Sequence, residues 1–111
     1  MRITQYSFGS ITIDGRTYRG DVIIYPDRVD PSWWRVKGHS LSPEDLKDVI
    51  SAQPETLIIG TGAYGAMEVP ESTIKFLRSK GISLHIAKTE EAVKIFNSSK
   101  GRTIACLHLS C

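Results

Sequence analysis

The sequence predicts an α/β fold in three layers: a central mixed sheet flanked by helices, with an N-terminal antiparallel β ribbon attached. Three observations carry this. Short apolar runs broken by glycine fill residues 3–25. Three stripes of apolar residues at helical spacing follow residue 42. Short apolar strands alternate with those stripes, giving a β-rich start and then α-β-α-β-α-β. At 111 residues the chain has the length expected of one domain, 1–111.

Each element has a local reason. Tyr6 and Phe8 share one strand face before Gly9-Ser10 interrupts it, and Ile11 and Ile13 resume the pattern. Asp14-Gly15 predicts a type I′ hairpin, because both central positions of that turn need positive φ. Tyr18 and then Val22-Ile23-Ile24-Tyr25 extend the ribbon or meander until Pro26 stops it. Residues 26–41 read as loop, interrupted by Trp33-Trp34.

From Ser42 the period becomes helical. Ser42 is a good N-cap, Pro43 suits the first helical position, and Asp45 can answer the cap. Leu46, Val49 and Ile50 form the stripe of a helix over 43–53, which Pro54 ends. Thr56-Leu57-Ile58-Ile59 is a strand running into Gly60-Thr61-Gly62. Pro70 opens a helix over 70–80, with Glu71 near its positive end and Gly81 as its left-handed C-terminal cap. A strand over 82–86 follows, then a helix over 89–99 capped by Thr89, and a last strand over 103–109. The strands at 56–59 and 82–86 close a βαβ unit and should run parallel. Leu57, Ile59, Leu84, Ile86, Leu107 and Phe96 are the expected core.

Composition excludes several classes. A net charge of +2 is too small to argue for nucleic acid. Its distribution is uneven: residues 44–71 are acid-rich and residues 75–102 base-rich, which solvated helix faces also produce. No apolar stretch approaches the roughly 20 residues that cross a bilayer, and residues 1–6 read as strand rather than as a secretion signal. Cys106 and Cys111, five apart on one strand, would point to opposite faces, so they make no disulfide framework. The chain is expected to be cytoplasmic, with no membrane or nucleic-acid partner, and Cys106 to be a free, buried thiol.

Several blocks together resemble one family across nearly the whole chain. They are Trp33-Trp34-Arg35 with Gly38-His39, the strand-loop Leu57-Ile58-Ile59-Gly60-Thr61-Gly62, and Val69-Pro70-Glu71-Ser72-Thr73. Gly81-Ile82, Thr89-Glu90-Glu91-Ala92-Val93 ahead of Asn97, and His108-Leu109-Ser110-Cys111 complete them. The chain resembles the uncharacterised Mth-type domain family, whose vertebrate relative is named for adipogenesis and whose domain a mitochondrial complex I assembly factor carries. The resemblance implies a three-layer α/β fold around a mixed sheet. It implies no reaction.

Gly60-Thr61-Gly62-Ala63-Tyr64-Gly65 spells the G-x-G-x-x-G of dinucleotide sites directly after a strand. In such sites the helix opens within the motif, so its first amides meet the phosphate. Here Pro70 moves the helix start past the third glycine, and the next strand ends at Lys88 without a ribose-binding acid. The motif therefore predicts a turn rather than a dinucleotide site. The alternative occupant of this strand end is a small anion, held by Gly60, Thr61, Gly62, Lys88 and Thr89, since ligands of open α/β sheets lie beyond the carboxyl ends of parallel strands.

The histidines and thiols (His39, His85, His108, Cys106 and Cys111) show no metal-binding spacing, and no catalytic residue, metal or cofactor is assigned. Trp33 and Trp34, adjacent on extended chain, should point to opposite sides, one to the core and one to solvent or a partner. The reading that follows is a non-enzymatic interaction or assembly module of unknown partner, or self-associating, working around Trp33-Trp34. The alternative is a small-ligand protein or enzyme with its site at Gly60-Thr61-Gly62.

Overall fold

A computed structural model describes all 111 residues. Along the chain it has β1 (Ile3–Ser7), β2 (Ser10–Ile13), β3 (Arg16–Tyr18), β4 (Val22–Ile24) and β5 (Val29–Asp30). Then come α1 (Lys47–Ser51), β6 (Thr56–Thr61), α2 (Glu71–Ser79), β7 (Ser83–Ala87), α3 (Thr89–Ser98) and β8 (Thr103–His108). The first three strands form an antiparallel sheet, and the rest form a five-stranded mixed sheet in the order β5-β4-β8-β6-β7. Within it β8 is central, parallel to β6 and antiparallel to β4. β6 and β7 are parallel, as a βαβ unit requires.

The pleat of the central strands sorts the core into two faces. Leu57 and Ile59 of β6, with Ile104 and Cys106 of β8, meet Leu46, Val49, Trp33 and Leu77 on the side of α1 and α2. Ile58, Ala105 and Leu107 face the other way, against Ala92 and Phe96 of α3 and Ile3, Ile11 and Ile13 of the small sheet. Both faces of β8 are covered, so all six of its residues are buried. The ribbon therefore completes a layer beside α3. Asn97 ties the two together, its Nδ2 donating to Ile3 O (2.7 Å) and its Oδ1 accepting from Ile3 N (3.0 Å).

Local expectations resolve as follows. Asp14 (φ 49°) and Gly15 (φ 82°) make the hairpin turn, and Gly81 (φ 78°) follows α2. Asp45 Oδ2 accepts from both the N–H and the hydroxyl of Ser42, but Pro43–Leu46 is 3₁₀ and the α-helix begins only at Lys47. Val22–Ile24 leaves the ribbon and pairs with β8. Three consecutive apolar side chains need cover on both faces, and only the central sheet provides it.

Three expectations need correction. β6 continues through Gly60 and Thr61, paired with Leu107 and His108. At Gly60 a Cβ would sit 2.9 Å from both Leu107 Cδ2 and Thr89 Oγ1, so glycine serves close packing there. Leu84 is only partly buried and Ile86 is 37% exposed, because β7 is the sheet edge and its layer leaves that end open. Thr89 does not cap α3: Lys88 holds the N-cap position, and the buried Thr89 hydroxyl is engaged elsewhere.

Candidate functional site

The carboxyl ends of β6 and β8 lie side by side, Thr61 opposite His108. Thr89 locks them together, its hydroxyl donating to His108 O and accepting from Gly62 N (2.9 Å). Its own N–H donates to Gly62 O (3.1 Å), and Thr61 Oγ1 donates to Ala87 O (3.2 Å). Gly62 has φ 109°, and a Cβ there would come within 2.6 Å of the Cys111 backbone. The loop amides then turn towards residues 110–111. Ala63 N donates to Ser110 O (3.2 Å), and Tyr64 N and Ala66 N both donate to Cys111 O (3.1 Å each).

Thus the glycine loop does form a concave set of N–H donors, but the chain's own carbonyls occupy it. An anion reaching those amides would have to displace Ser110 and Cys111. Lys88 is exposed, with its aliphatic stem against Gly65. α2 starts at Glu71, past a loop over 66–70, so its first turn is not within the G-x-G-x-x-G segment.

Beside this strand end sits a charged cluster assembled from distant parts of the chain. Asp21, just before β4, accepts from Leu109 N at Oδ1 (2.8 Å) and contacts His108 Nδ1 at Oδ2 (2.8 Å). Arg35 Nη1 lies 2.9 Å from the same Oδ2. That contact is an ion pair without good hydrogen-bond alignment. Arg35 Nε donates to Gly38 O (3.1 Å), and the guanidinium lies over the Trp33 ring, 4.6 Å from its centroid.

Burial pushes the Asp21 carboxyl up, but the hydrogen bonds from Leu109 and His108, with the Arg35 guanidinium alongside, outweigh it and hold its pKa below the ordinary value. Asp21 is therefore a carboxylate, and a 2.8 Å contact with a ring nitrogen requires that nitrogen to carry the proton. His108 Nδ1 is the donor. Arg35 Nη2, 3.2 Å from the same nitrogen, then makes no hydrogen bond to it. The other ring nitrogen, Nε2, is buried with no partner. His39, exposed, meets this ring edge-on at 5.8 Å between centroids. One nitrogen of each imidazole and Cys111 Sγ lie within 4.8 Å of one another.

The tryptophan pair divides as extended chain dictates. Trp33 is buried, its Nε1 donating to Asp45 O (3.2 Å), whereas Trp34 is 73% exposed. Trp34 and Val36 border a groove of about 320 Å³ whose other walls include Asp30, Glu44 and Asp48. Val36 N donates to Asp45 Oδ1 (2.9 Å), which pins the tryptophan loop to the turn before α1.

A family model for proteins of unknown function, DUF498/DUF598, matches residues 3–108. The chain belongs to this family. Solved structures agree with the DUF498/DUF598 fold. A conserved hypothetical protein of Pyrococcus horikoshii is 28% identical, with both chains covered fully and a TM-score of 0.86. A protein of Bartonella henselae described as an outer membrane protein is 28% identical over 98% of this chain and 94% of its own, with a TM-score of 0.79. An Mth938-like domain of Bordetella pertussis, 17% identical over 97% of this chain and 85% of its own, shares the fold at a TM-score of 0.67. In this DUF498/DUF598 chain no helix is long and apolar enough to cross a membrane.

Sequence reasoning gave Asp21 no role, met Arg35, His39 and His108 only in blocks that carry a family resemblance, and found no metal-binding spacing among the histidines and thiols. Two of them also carry a buried-type linear pattern: Asp21 lies ahead of Val22-Ile23-Ile24, and His108 ends a strand of buried residues. Their meeting depends on β4 pairing with β8, which no spacing reveals.

Proposed function

We propose that this DUF498/DUF598 chain is a non-enzymatic interaction module that grips a basic, apolar-anchored segment of a protein partner in the Trp34 groove. The observation that carries this is the exposure of Trp34 on a groove whose charged lining is four carboxylates, Asp30, Glu44, Asp45 and Asp48, against Lys47 alone. A tryptophan left in water is an apolar surface whose burial stabilises a complex, and tryptophan is enriched among interface hot spots. Glu44 and Asp48 form no ion pair within the chain, so their charge is free to select a cationic partner. The bond from Val36 N to Asp45 fixes the groove wall in advance, which lowers the ordering cost of binding.

The sequence resemblance to a domain that a complex I assembly factor carries supports the same reading. The free thiols of Cys106 and Cys111 support placing the protein in the cytoplasm.

The test is fluorescence titration with short peptides carrying Lys or Arg around one Leu or Phe. Basic peptides should bind saturably and more weakly as salt rises, and Trp34→Ala should weaken binding at least about tenfold, or 1.4 kcal/mol. Equal binding of acidic and basic peptides, or of wild type and Trp34→Ala, would refute the proposal.

A further inference from the structure

We infer that His39, His108 and Cys111 form a binding site for a zinc ion, with Asp21 as the positioning residue behind His108. Two observations meet here. Three side chains of ligand chemistry converge, their donor atoms within 4.8 Å of one another. Independently, His108 Nε2 is buried, in a side chain only 7% exposed, and has no partner. The Cδ2 edge of the ring, which carries Nε2, lies beside Gly62 and close to the Cys111 backbone, so the free nitrogen is on the Cys111 side.

The arrangement behind His108 fits a metal-binding imidazole. Ligating histidines donate their second ring N–H to a carboxylate or carbonyl, which fixes the tautomer and raises the basicity of the ligating nitrogen. Asp21 Oδ2, 2.8 Å from Nδ1, does this, and the Asp21 carboxylate is itself held by Leu109 N. The remaining two ligands are positioned by backbone. His39 O accepts from Glu68 N (2.7 Å), and Cys111 O accepts from the amides of Tyr64 and Ala66.

A tetrahedral zinc with bonds of about 2.0–2.3 Å holds its ligands roughly 3.3–3.8 Å apart. The present spread of up to 4.8 Å closes by rotation of His39, which is exposed, and Cys111, which is half-buried. Two imidazoles and one thiolate suit this borderline-soft ion, and three protein ligands leave its fourth position to water. On binding, the Cys111 thiol releases its proton to solvent and the sulfur lone pair forms the bond. The Asp21 carboxylate already neutralises the Arg35 guanidinium, which would otherwise oppose a cation here, and the thiolate removes half the charge of the ion.

The experiment is titration of chelator-treated protein with Zn²⁺ by calorimetry and with Co²⁺ by optical absorption. One ion should bind per chain with a dissociation constant of about 1 μM or tighter. The heat should vary with buffer ionisation enthalpy, reporting release of the thiol proton. Cys111→Ser should remove the thiolate-to-cobalt charge-transfer band, and His39→Ala should weaken zinc binding at least about tenfold. Neither residue is buried, so both variants should fold. Asp21→Asn, with folding checked by circular dichroism, should weaken binding about 10–100-fold without removing the band. His85→Ala, on the exposed edge strand, should change nothing. No saturable binding up to about 1 mM, or wild-type binding by both Cys111→Ser and His39→Ala, would overturn the assignment.

Discussion

Gly62→Ala probes whether residues 110–111 are truly seated on the glycine loop. With φ 109° the position lies outside the regions an alanine adopts comfortably, a strain of about 1–3 kcal/mol. The new Cβ would lie 2.4 Å from Ser110 O, 2.6 Å from the Cys111 carbonyl carbon and 2.9 Å from His108 Cδ2. Overlap of that kind costs a further 1–3 kcal/mol or so. The chain can escape the overlap by releasing residues 110–111. It then loses the bonds from Ala63, Tyr64 and Ala66, each worth about 0.5–1.5 kcal/mol, so escape is no cheaper.

The natural control is Gly81→Ala. Gly81 has φ 78° but nothing within 4 Å of the would-be Cβ, so it isolates backbone strain at about 1–2 kcal/mol. Gly62→Ala should therefore be the more destabilising by roughly 1–4 kcal/mol, which for a protein of this size lowers Tm by an extra 5–20 °C or so. Calorimetric melting gives the difference, and hydrogen exchange at Tyr64 and Ala66 shows whether those amides are released. If Gly62→Ala melts with Gly81→Ala and both amides stay protected, the packing argument at Gly62 is wrong.

Four other outcomes are expected. Thr89→Val keeps the shape but strands Gly62 N–H and His108 C=O, and should cost about 1–3 kcal/mol in urea unfolding; Thr89→Ser should recover most of it. Trp33→Ala should cost about 3–5 kcal/mol, whereas Trp34→Ala should stay within about 0.5 kcal/mol of wild type by the same measurement. Because the Asp21 pKa is lowered on folding, its stabilisation is present above the unfolded-state carboxylate value and is lost as pH falls through the folded value. Urea curves from neutral to acid pH should show wild type converging on Asp21→Asn at the acid end. Burial also drives the Cys106 thiol far above its ordinary pKa, so alkylation of native protein should label Cys111 and spare Cys106 until unfolding.

Much of the fold is legible because local rules and tertiary structure agree. The Asp14-Gly15 turn, the Leu46-Val49 stripe and the β6-α2-β7 unit all follow from side-chain period and turn chemistry. The failures lie where a neighbour overrides local preference. Thr89 looks like a cap from its position in the sequence, but β6 and β8 present it with a stranded donor and acceptor, and the hydroxyl takes both. Gly60 looks like a turn glycine, yet it continues a strand because Leu107 and Thr89 leave no room for a Cβ. Ile86 has the hydrophobicity of a core residue, but strand order puts it on an edge. The histidine and thiol cluster is least legible, since His39 and His108 are brought together by pairing across most of the chain's length.

The placement of β8 bears on how the chain is made. It follows every other strand in sequence, yet it sits at the centre of the large sheet, with β4 on one side and β6 on the other. While the polypeptide emerges from the ribosome, the two halves of that sheet exist without the strand that joins them. Val22–Ile24 and Leu57–Ile59 each wait with an open hydrogen-bonding edge until residues 103–108 arrive. Non-local pairing of this sort is slow and leaves sticky edges exposed. The nascent chain is most vulnerable to aggregation in the interval before residues 103–108 arrive, when a chaperone that shields strand edges would act. Premature truncation before residue 103 should yield an insoluble product, even though seven of the eight strands have already been translated.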